Sequence, residues 1–264
     1  MSFLILYALS GLVAGFLAGL LGIGGGLILV PVLVVLFSAQ GFSESVVMPL
    51  ALGTSLATII FTSVSSLCAH HAKGAVDWHT LRRMMLGIVA GALASAALTA
   101  HLSPSILKLI FAVYAGLAAT QLVCNIQPPA SRQLPGPCGL AAAGSVVGGI
   151  SALAGVGGAV TAIPFLIWCN VPARIAIGTA SAIGLPVAVA GTIGYVGNGL
   201  AGLELPPFSL GYVYLPALGA IVITSVIAAP LGARASYRLP VPILKKALAA
   251  VLYVVTLRSL LVWA

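Results

Sequence analysis

Apolar residues dominate this chain in long runs that short polar segments separate. A run of about 20 apolar residues has the length of a helix that crosses a bilayer. The pattern predicts ten helical elements, five in each half of the chain. They are Phe3–Leu21, Leu27–Phe37, Val46–Ala69, Leu81–Ala100 and Ser105–Cys124, then Cys138–Ala154, Ala159–Trp168, Ala173–Val196, Leu210–Ala233 and Val241–Val262.

Two of these elements, Leu27–Phe37 and Ala159–Trp168, are unusually short. The first is roughly 17 Å long as a helix, against a hydrocarbon core of about 30 Å. Each follows a glycine cluster: Gly22-Ile23-Gly24-Gly25-Gly26 and Gly155-Val156-Gly157-Gly158. Glycine costs a helix about 1 kcal/mol relative to alanine and tolerates positive φ, so a cluster interrupts the helix. We predict a broken helix pair at each cluster, in which the short element is either a half-helix or one arm of a re-entrant hairpin.

The two halves of the sequence repeat one plan. Gly22, Gly24, Gly25 and Pro31 match Gly155, Gly157, Gly158 and Pro164, all 133 positions later. The Gly-Thr pairs that begin at Gly53 and Gly178 match at an offset of 125, and Leu107-Lys108 matches Leu244-Lys245 at 137. The polar, proline-rich stretch 125–137 lies between the halves. We therefore predict a first transmembrane repeat at 1–124, a linker at 125–137 and a second transmembrane repeat at 138–264.

The repeats are predicted to have inverted topology. Each half makes an odd number of net crossings, whether its first two elements are full spans or a re-entrant pair. Basic residues crowd between the third and fourth elements of the first half, whereas in the second half they follow the fourth element. Placing these loops in the cytoplasm leaves only Lys108 and Arg258, of the 11 Lys and Arg, on the other side. Both termini are then periplasmic.

Composition supports an all-α polytopic membrane protein. The chain is 61% apolar and 5% charged, a balance that no soluble core requires. Its net charge of +8 is explained by cytoplasmic loops, so nucleic acid is not an expected partner. Residues 1–21 lack a positively charged start, which favours a structural helix over a cleaved signal peptide.

The start of a short helix at a glycine break presents unpaired N–H groups and the positive end of the helix dipole. Two such starts, near Gly25 and Gly158, would face each other and form an anion site at the membrane midplane. The alternative is that the glycines only permit close helix packing. Hydroxyls recur every four residues on the third element, at Thr54, Thr58, Thr62 and Ser66. They would either donate to an oxyanion or bond their own helix carbonyls.

Other chemistry finds little support in the sequence. The only acidic residues, Glu44, Asp77 and Glu204, fall in loops, which argues against a cation pathway. The histidines fall at helix ends, and neither a nucleophile–base set nor a metal-ligand cluster is visible. We expect no enzymatic activity, no metal and no cofactor.

With these paired glycine motifs and the helices that carry Gly53-Thr54-Ser55 and Gly178-Thr179-Ala180, the chain resembles the TauE/SafE-type sulfite exporter family, also called TSUP permeases. The resemblance implies a bacterial inner-membrane transporter of sulfite, thiosulfate or an organosulfonate. The two inverted repeats predict alternating access, by rocking of one repeat against the other. Transport of another small solute, a divalent cation or a neutral molecule, is the alternative. A homodimer is compatible with the sequence. Ala159 and Ala180 stand where the first repeat has Gly26 and Ser55, so the two halves of the site differ. The candidate substrate-binding residues are Gly22, Gly24, Gly25, Gly26, Thr54, Ser55, Gly155, Gly157, Gly158, Thr179 and Ser181.

Overall fold

The structure is a computed structural model that describes residues 2–21, 25–124, 129, 131–200, 205–235, 249–250 and 252–253. Within these residues it is almost entirely helical, with nine helices of ten residues or more and one two-stranded hairpin. Six of the helices are long and apolar enough to cross a membrane. The helices are α1 Ser2–Leu21, α2 Gly26–Ala39, α3 Glu44–His71, α4 Trp78–Thr99, α5 Pro104–Cys124, α6 Pro137–Leu153, α7 Ala159–Trp168, α8 Ala173–Leu200 and α9 Leu215–Ala235.

The predicted elements agree with these bounds to within four residues, except at two places. The ninth element does not begin at Leu210, because Ser209–Leu210 (β1) and Val213–Tyr214 (β2) pair as an antiparallel hairpin first. Gly211, in the turn between these strands, has φ +53°, which a helix cannot accommodate. The tenth element, Val241–Val262, lies almost wholly outside the described residues.

The helices α3 and α8 form the centre of the bundle. Each has 28 residues, and they pack against each other along their length. Thr54, early in α3, bonds the hairpin that follows α8, while Thr179, early in α8, bonds the segment that follows α3. The two helices therefore run antiparallel, and each begins where the other ends.

Glycines bring the outer helices close to their partners. α1 packs against α9, and α6 packs against α4. A Cβ at Gly15 would lie 2.5 Å from the Cα of Ser225 in α9, and a Cβ at Gly148 would lie 2.2 Å from the carbonyl oxygen of Ile88 in α4. Backbone contacts this close tolerate no side chain, as in other membrane helix pairs. Gly15 and Gly148 are 133 positions apart, the same offset as the glycine breaks.

Four aromatic rings close one end of the bundle, which we call the aromatic end: Tyr7, Phe37, Phe42 and Tyr214. The ring of Tyr214 lies 5.5 Å from that of Phe37 and 5.3 Å from that of Phe42, both in edge-to-face geometry. Edge-to-face pairs of this kind add about 0.5–1.5 kcal/mol each beyond the area they bury. The rings join α1, α2, the α2–α3 connection and the hairpin at this end.

Candidate functional site at the glycine breaks

The two short helices begin at glycines in the left-handed conformation, as the sequence predicts. Gly25 precedes α2 with φ +70°, and Gly158 precedes α7 with φ +83°. A glycine has no side chain to cap the helix it precedes, so the first N–H groups depend on other partners. α2 has 14 residues and α7 has 10, which gives lengths of about 21 Å and 15 Å.

Each short helix starts next to the middle of the helix that precedes it. It then runs back toward the first residues of that preceding helix. A Cβ on Gly25 would lie 3.2 Å from the carbonyl oxygen of Ala14, in the middle of α1. Gln40, just past α2, donates a hydrogen bond to the hydroxyl of Tyr7, near the start of α1. In the second half, the N–H of Arg132, just before α6, donates to the carbonyl of Trp168, at the end of α7 (3.2 Å). Each break therefore lies at depth within the bundle.

The two breaks meet. A Cβ on Gly26 would lie 2.5 Å from the carbonyl oxygen of Gly155, so the start of α2 is in direct contact with the second glycine cluster. The hydroxyl of Ser55 donates to the same carbonyl at 2.8 Å. Gly155 itself has φ +65°. Gly22 and Gly24, the first glycines of the other cluster, lie outside the described residues.

Beside the meeting point lies a small cavity of about 10 Å³, which we call the hydroxyl cavity. A volume of about 10–15 Å³ is what one water molecule requires, so the hydroxyl cavity is closed to a larger ligand in this conformation. None of its lining residues that the structure describes has an ionisable side chain. The described lining consists of Thr62, Ser63, Ser66, Gly157, Ser181 and Gly184, with Ala18 and Ala180.

A hydrogen bond between two buried serines crosses the hydroxyl cavity from α3 to α8. The Oγ atoms of Ser66 and Ser181 lie 2.7 Å apart. Of the predicted site residues, Gly157 and Ser181 line the hydroxyl cavity. Ser66 and Thr62 belong to the predicted hydroxyl stripe, whereas Ser63 was missed because it lies one position off the four-residue spacing. Ser63 can be recognised only from the packing of α3 on α8. A Cβ added to Gly184 in α8 would lie 2.8 Å from the Ser63 hydroxyl.

The predicted residues Thr54 and Thr179 make equivalent contacts with the other half of the chain. The hydroxyl of Thr54 accepts a hydrogen bond from the N–H of Tyr214 (3.0 Å), and that of Thr179 accepts one from the N–H of Asp77 (2.9 Å). The preceding glycines make room, since a Cβ on Gly53 or Gly178 would lie about 2 Å from a backbone carbonyl of the same incoming segment. Both threonine hydroxyls therefore support the packing of segments rather than line the hydroxyl cavity.

Part of the hydroxyl stripe bonds its own helix. Thr58 donates to the carbonyl of Ser55 at 2.6 Å, and Thr62 lies 3.3 Å from that of Ile59. This is the structural alternative that the sequence left open. Of the hydroxyls on the stripe, Thr62 and Ser66 reach the hydroxyl cavity.

The acidic residues that the structure describes lie at helix ends. Glu44 pairs with Lys108 (2.9 Å) near the aromatic end. Asp77 caps α4 by accepting hydrogen bonds from the N–H groups of His79 and Thr80. Burial would raise the pKa of the Asp77 carboxyl, but the hydrogen bonds from Thr80 and His79, with the nearby charge of His79, hold that pKa below its usual value. Neither carboxylate reaches the hydroxyl cavity, and no three His, Cys, Asp or Glu side chains among the described residues form a group that could hold a metal ion.

An almost entirely helical bundle, with six candidate spans among its described residues, paired internal helix breaks and a polar cavity between its two central helices, defines a polytopic membrane protein of the transporter class. The chain belongs to the sulfite exporter TauE/SafE family, which it matches over residues 7–259.

Relatives in bacteria and archaea are also named as transporters. A probable membrane transporter protein of Haemophilus influenzae is 36% identical over 98% of this chain and 99% of its own length. A probable membrane transporter protein of Methanocaldococcus jannaschii is 24% identical over 97% of this chain and 95% of its own. No solved structure matches the chain. The names of these relatives agree with an expected role in transport rather than catalysis.

Proposed function

We propose that this protein carries small sulfur-containing anions, such as sulfite, thiosulfate or an organosulfonate, across the bacterial inner membrane. The observation that carries the proposal is the contact between the two glycine breaks beside a cavity whose described lining residues supply four hydroxyls and no ionised group. Hydroxyl and backbone donors stabilise an oxyanion without the cost of a fixed charge in lipid. The name of the family supports a sulfur anion as the substrate.

Alternating access would follow from two inverted repeats. The packing of α1 on α9 and of α6 on α4, and the reciprocal bonds of Thr54 and Thr179, support a pseudo-two-fold relation between the halves. Rocking of one repeat against the other would separate α3 from α8 at the Ser66–Ser181 bond. The hydroxyl cavity would then enlarge enough to hold the anion. The small anion and the lipid bilayer are the proposed partners, and both termini lie in the periplasm.

The test is a flux assay in proteoliposomes with labelled sulfite, thiosulfate and sulfoacetate. We expect saturable flux of at least one of these anions. Replacing both Ser66 and Ser181 by alanine should lower kcat/KM about 10-fold or more, since hydrogen bonds to charged groups contribute about 1.5–3 kcal/mol. Ser145→Ala is the matched control, because the Ser145 hydroxyl bonds the carbonyl of Ala141 in its own helix, away from the hydroxyl cavity.

Two results would count against the proposal. Flux of divalent cations or neutral solutes, with none of the three sulfur anions, would favour the alternative substrate classes. Undiminished flux in a correctly folded double-serine variant would remove the hydroxyl cavity from the transport path.

A further inference from the structure

A second, much larger cavity lies at the opposite end of the bundle from the aromatic rings. It has a volume of about 410 Å³ and lies between the end of α3 and the end of α9. We call it the basic cavity. Its polar lining consists of Ser65, Cys68, His70, Lys73 and Arg234.

The basic cavity lies about one helical turn beyond the hydroxyl cavity along α3. His70, in its lining, is four residues beyond Ser66, so the two side chains lie one above the other on the same face of α3. Ser65 lines the basic cavity directly beside Ser66 in the sequence. An anion that left the hydroxyl cavity toward this end of α3 would therefore pass close to the basic cavity.

His70 is the least expected member of this lining. Its side chain is buried, with 6% of the residue exposed, and its Nε2 atom has no hydrogen-bond partner within the part of the chain that the structure describes. A buried polar nitrogen without a partner costs about 1–3 kcal/mol, so such atoms usually serve a ligand or water. Nε2 is itself buried beneath the surface of the basic cavity, so an oxyanion there would accept its hydrogen bond after a rotation of the imidazole ring.

Among the residues that the structure describes, the charged side chains in this lining have one sign. Lys73 and Arg234 line the basic cavity, and none of its described lining residues is a carboxylate. Asp77, the nearest acidic residue along the chain, directs its oxygens to His79 and Thr80. Arg174 adds a cation at the same end, since its Nη2 donates to the carbonyl of Lys73 (3.1 Å). A guanidinium beside an imidazole N–H suits an anionic group with several oxygens.

We propose that the basic cavity is a second anion-binding site, in which His70 and Arg234 bind a sulfonate or sulfur oxyanion one helical turn from the hydroxyl cavity. The chemical class of this ligand rests on the proposed function, but binding at the site does not require transport. A phospholipid phosphate carries the same kind of oxygens, so the experiment must separate a soluble anion from a lipid headgroup.

Cys68 provides a reporter within the basic cavity itself. It is an exposed free thiol in the lining, whereas Cys138 is an exposed thiol at the start of α6, outside the cavity. One variant keeps Cys68 alone, with Cys124→Ala, Cys138→Ala and Cys169→Ala. The matched variant keeps Cys138 alone. Both are purified in detergent without anionic lipid, and the rate of thiol modification is followed by mass spectrometry.

The first measurement compares the anionic reagent sulfonatoethyl methanethiosulfonate with its cationic trimethylammonium counterpart. Relative to Cys138, Cys68 should favour the anionic reagent about fivefold or more, because a cavity lined by one sign of charge concentrates counter-ions. The second measurement adds sulfoacetate at constant ionic strength. At about four times its dissociation constant, sulfoacetate should slow modification of Cys68 about fivefold, since only the empty fraction reacts. Cys138 should not respond, and chloride should protect neither thiol.

Substitutions then assign the site. Arg234→Gln and His70→Gln in the Cys68 variant should each remove the protection by sulfoacetate. Arg234 is exposed, so its substitution leaves the packed core intact even where His70→Gln lowers stability. Arg83→Gln is the control, because Arg83 is an exposed cation in α4 that does not line the basic cavity.

Equal protection of Cys68 and Cys138, or full protection in the Arg234→Gln protein, would overturn the inference. The inference would also be overturned if Cys68 were protected in nanodiscs of phosphatidylglycerol but not by sulfoacetate. The basic cavity would then bind a lipid headgroup rather than a soluble anion. Protection by sulfoacetate in a protein without sulfur-anion flux would leave the site in place while the proposed function fails. Sulfur-anion flux without protection of Cys68 would overturn the second site while the proposed function stands.

Discussion

The sequence singles out Thr54 and Thr179 as residues with a particular role, but it does not reveal what that role is. Their Gly-Thr motifs are visible as a repeat, and hydroxyls deep in the membrane are reasonable ligands for an oxyanion. Their actual partners are the N–H groups of Tyr214 and Asp77, each more than 100 positions away along the chain. No local pattern indicates a contact of that range. Ser181 was recognised, whereas its partner Ser66 appeared only as part of a stripe.

The Thr54 and Thr179 bonds can be tested by symmetric substitutions. Thr54→Val or Thr179→Val would each leave a backbone N–H without its partner, and both threonines are fully buried. We expect each change to lower the free energy of unfolding by about 1–3 kcal/mol, and by similar amounts in the two cases. Thermal unfolding in detergent measures this effect.

Thr58→Val is the control for that comparison. Thr58 is equally buried, but its hydroxyl donates to the Ser55 carbonyl of its own helix, so its loss strands no donor from another segment. If Thr58→Val lowered the free energy of unfolding as much as the other two substitutions do, the hydrogen bonds from Tyr214 and Asp77 would add no stability beyond that of a hydroxyl bonded within its own helix.

The short helices α2 and α7 are the elements that the sequence predicts best. Their existence, their length and the glycine conformation before each follow from local chemistry, because only glycine readily adopts positive φ and a run of apolar residues sets the helix. The hairpin Ser209–Tyr214 was missed for the opposite reason. Its residues are apolar enough to continue a helix, and the Thr54 bond to Tyr214 is a tertiary contact.

The role of the two glycine breaks in transport can be tested by comparing them with Gly41, which also has positive φ but lies outside the breaks. Gly25→Ala, Gly158→Ala and Gly41→Ala each place alanine at positive φ (70°, 83° and 76°). Each should lower the free energy of unfolding by about 1–2 kcal/mol, the cost of the left-handed conformation for an L-residue. Flux in proteoliposomes should fall for Gly25→Ala and Gly158→Ala, whose added Cβ atoms meet neighbours at 3.2 Å and 3.3 Å.

Gly41→Ala should transport normally, because nothing lies within 4 Å of the added Cβ in its turn between α2 and α3. If all three variants lost flux equally, backbone strain alone would explain the result. The breaks would then have no particular part in transport.

At the scale of the whole molecule, the two ends of the central helices α3 and α8 carry different side chains. Basic residues lie at one end and aromatic rings lie at the other. Charge counting along the sequence assigned the basic loops to one side, and the contact between Arg174 and Lys73 brings two of those cations together. The sequence could not show that the opposite end is closed by aromatic rings, because Tyr7, Phe37 and Tyr214 come from distant segments.

The proposed orientation predicts which thiols are accessible from outside the cell. In a background without other cysteines, Ser45→Cys near the aromatic end should react with a membrane-impermeant maleimide on intact bacteria. Cys138 alone, close to the linker, should react only after the inner membrane is permeabilised. Both positions are exposed, so accessibility reports the side of the membrane rather than burial. Labelling in the reverse order would invert the assigned topology.

The aromatic end has a consequence for a cell in which no substrate is present. Under the proposed cycle, Tyr7, Phe37, Phe42 and Tyr214 must part before an anion can pass that face, and their contacts are apolar. Salt screens such contacts far less than it screens ion pairs. In the proposed orientation, an idle carrier would therefore stay sealed toward the periplasm at any ionic strength, and the gradients that energise the membrane would not leak through it.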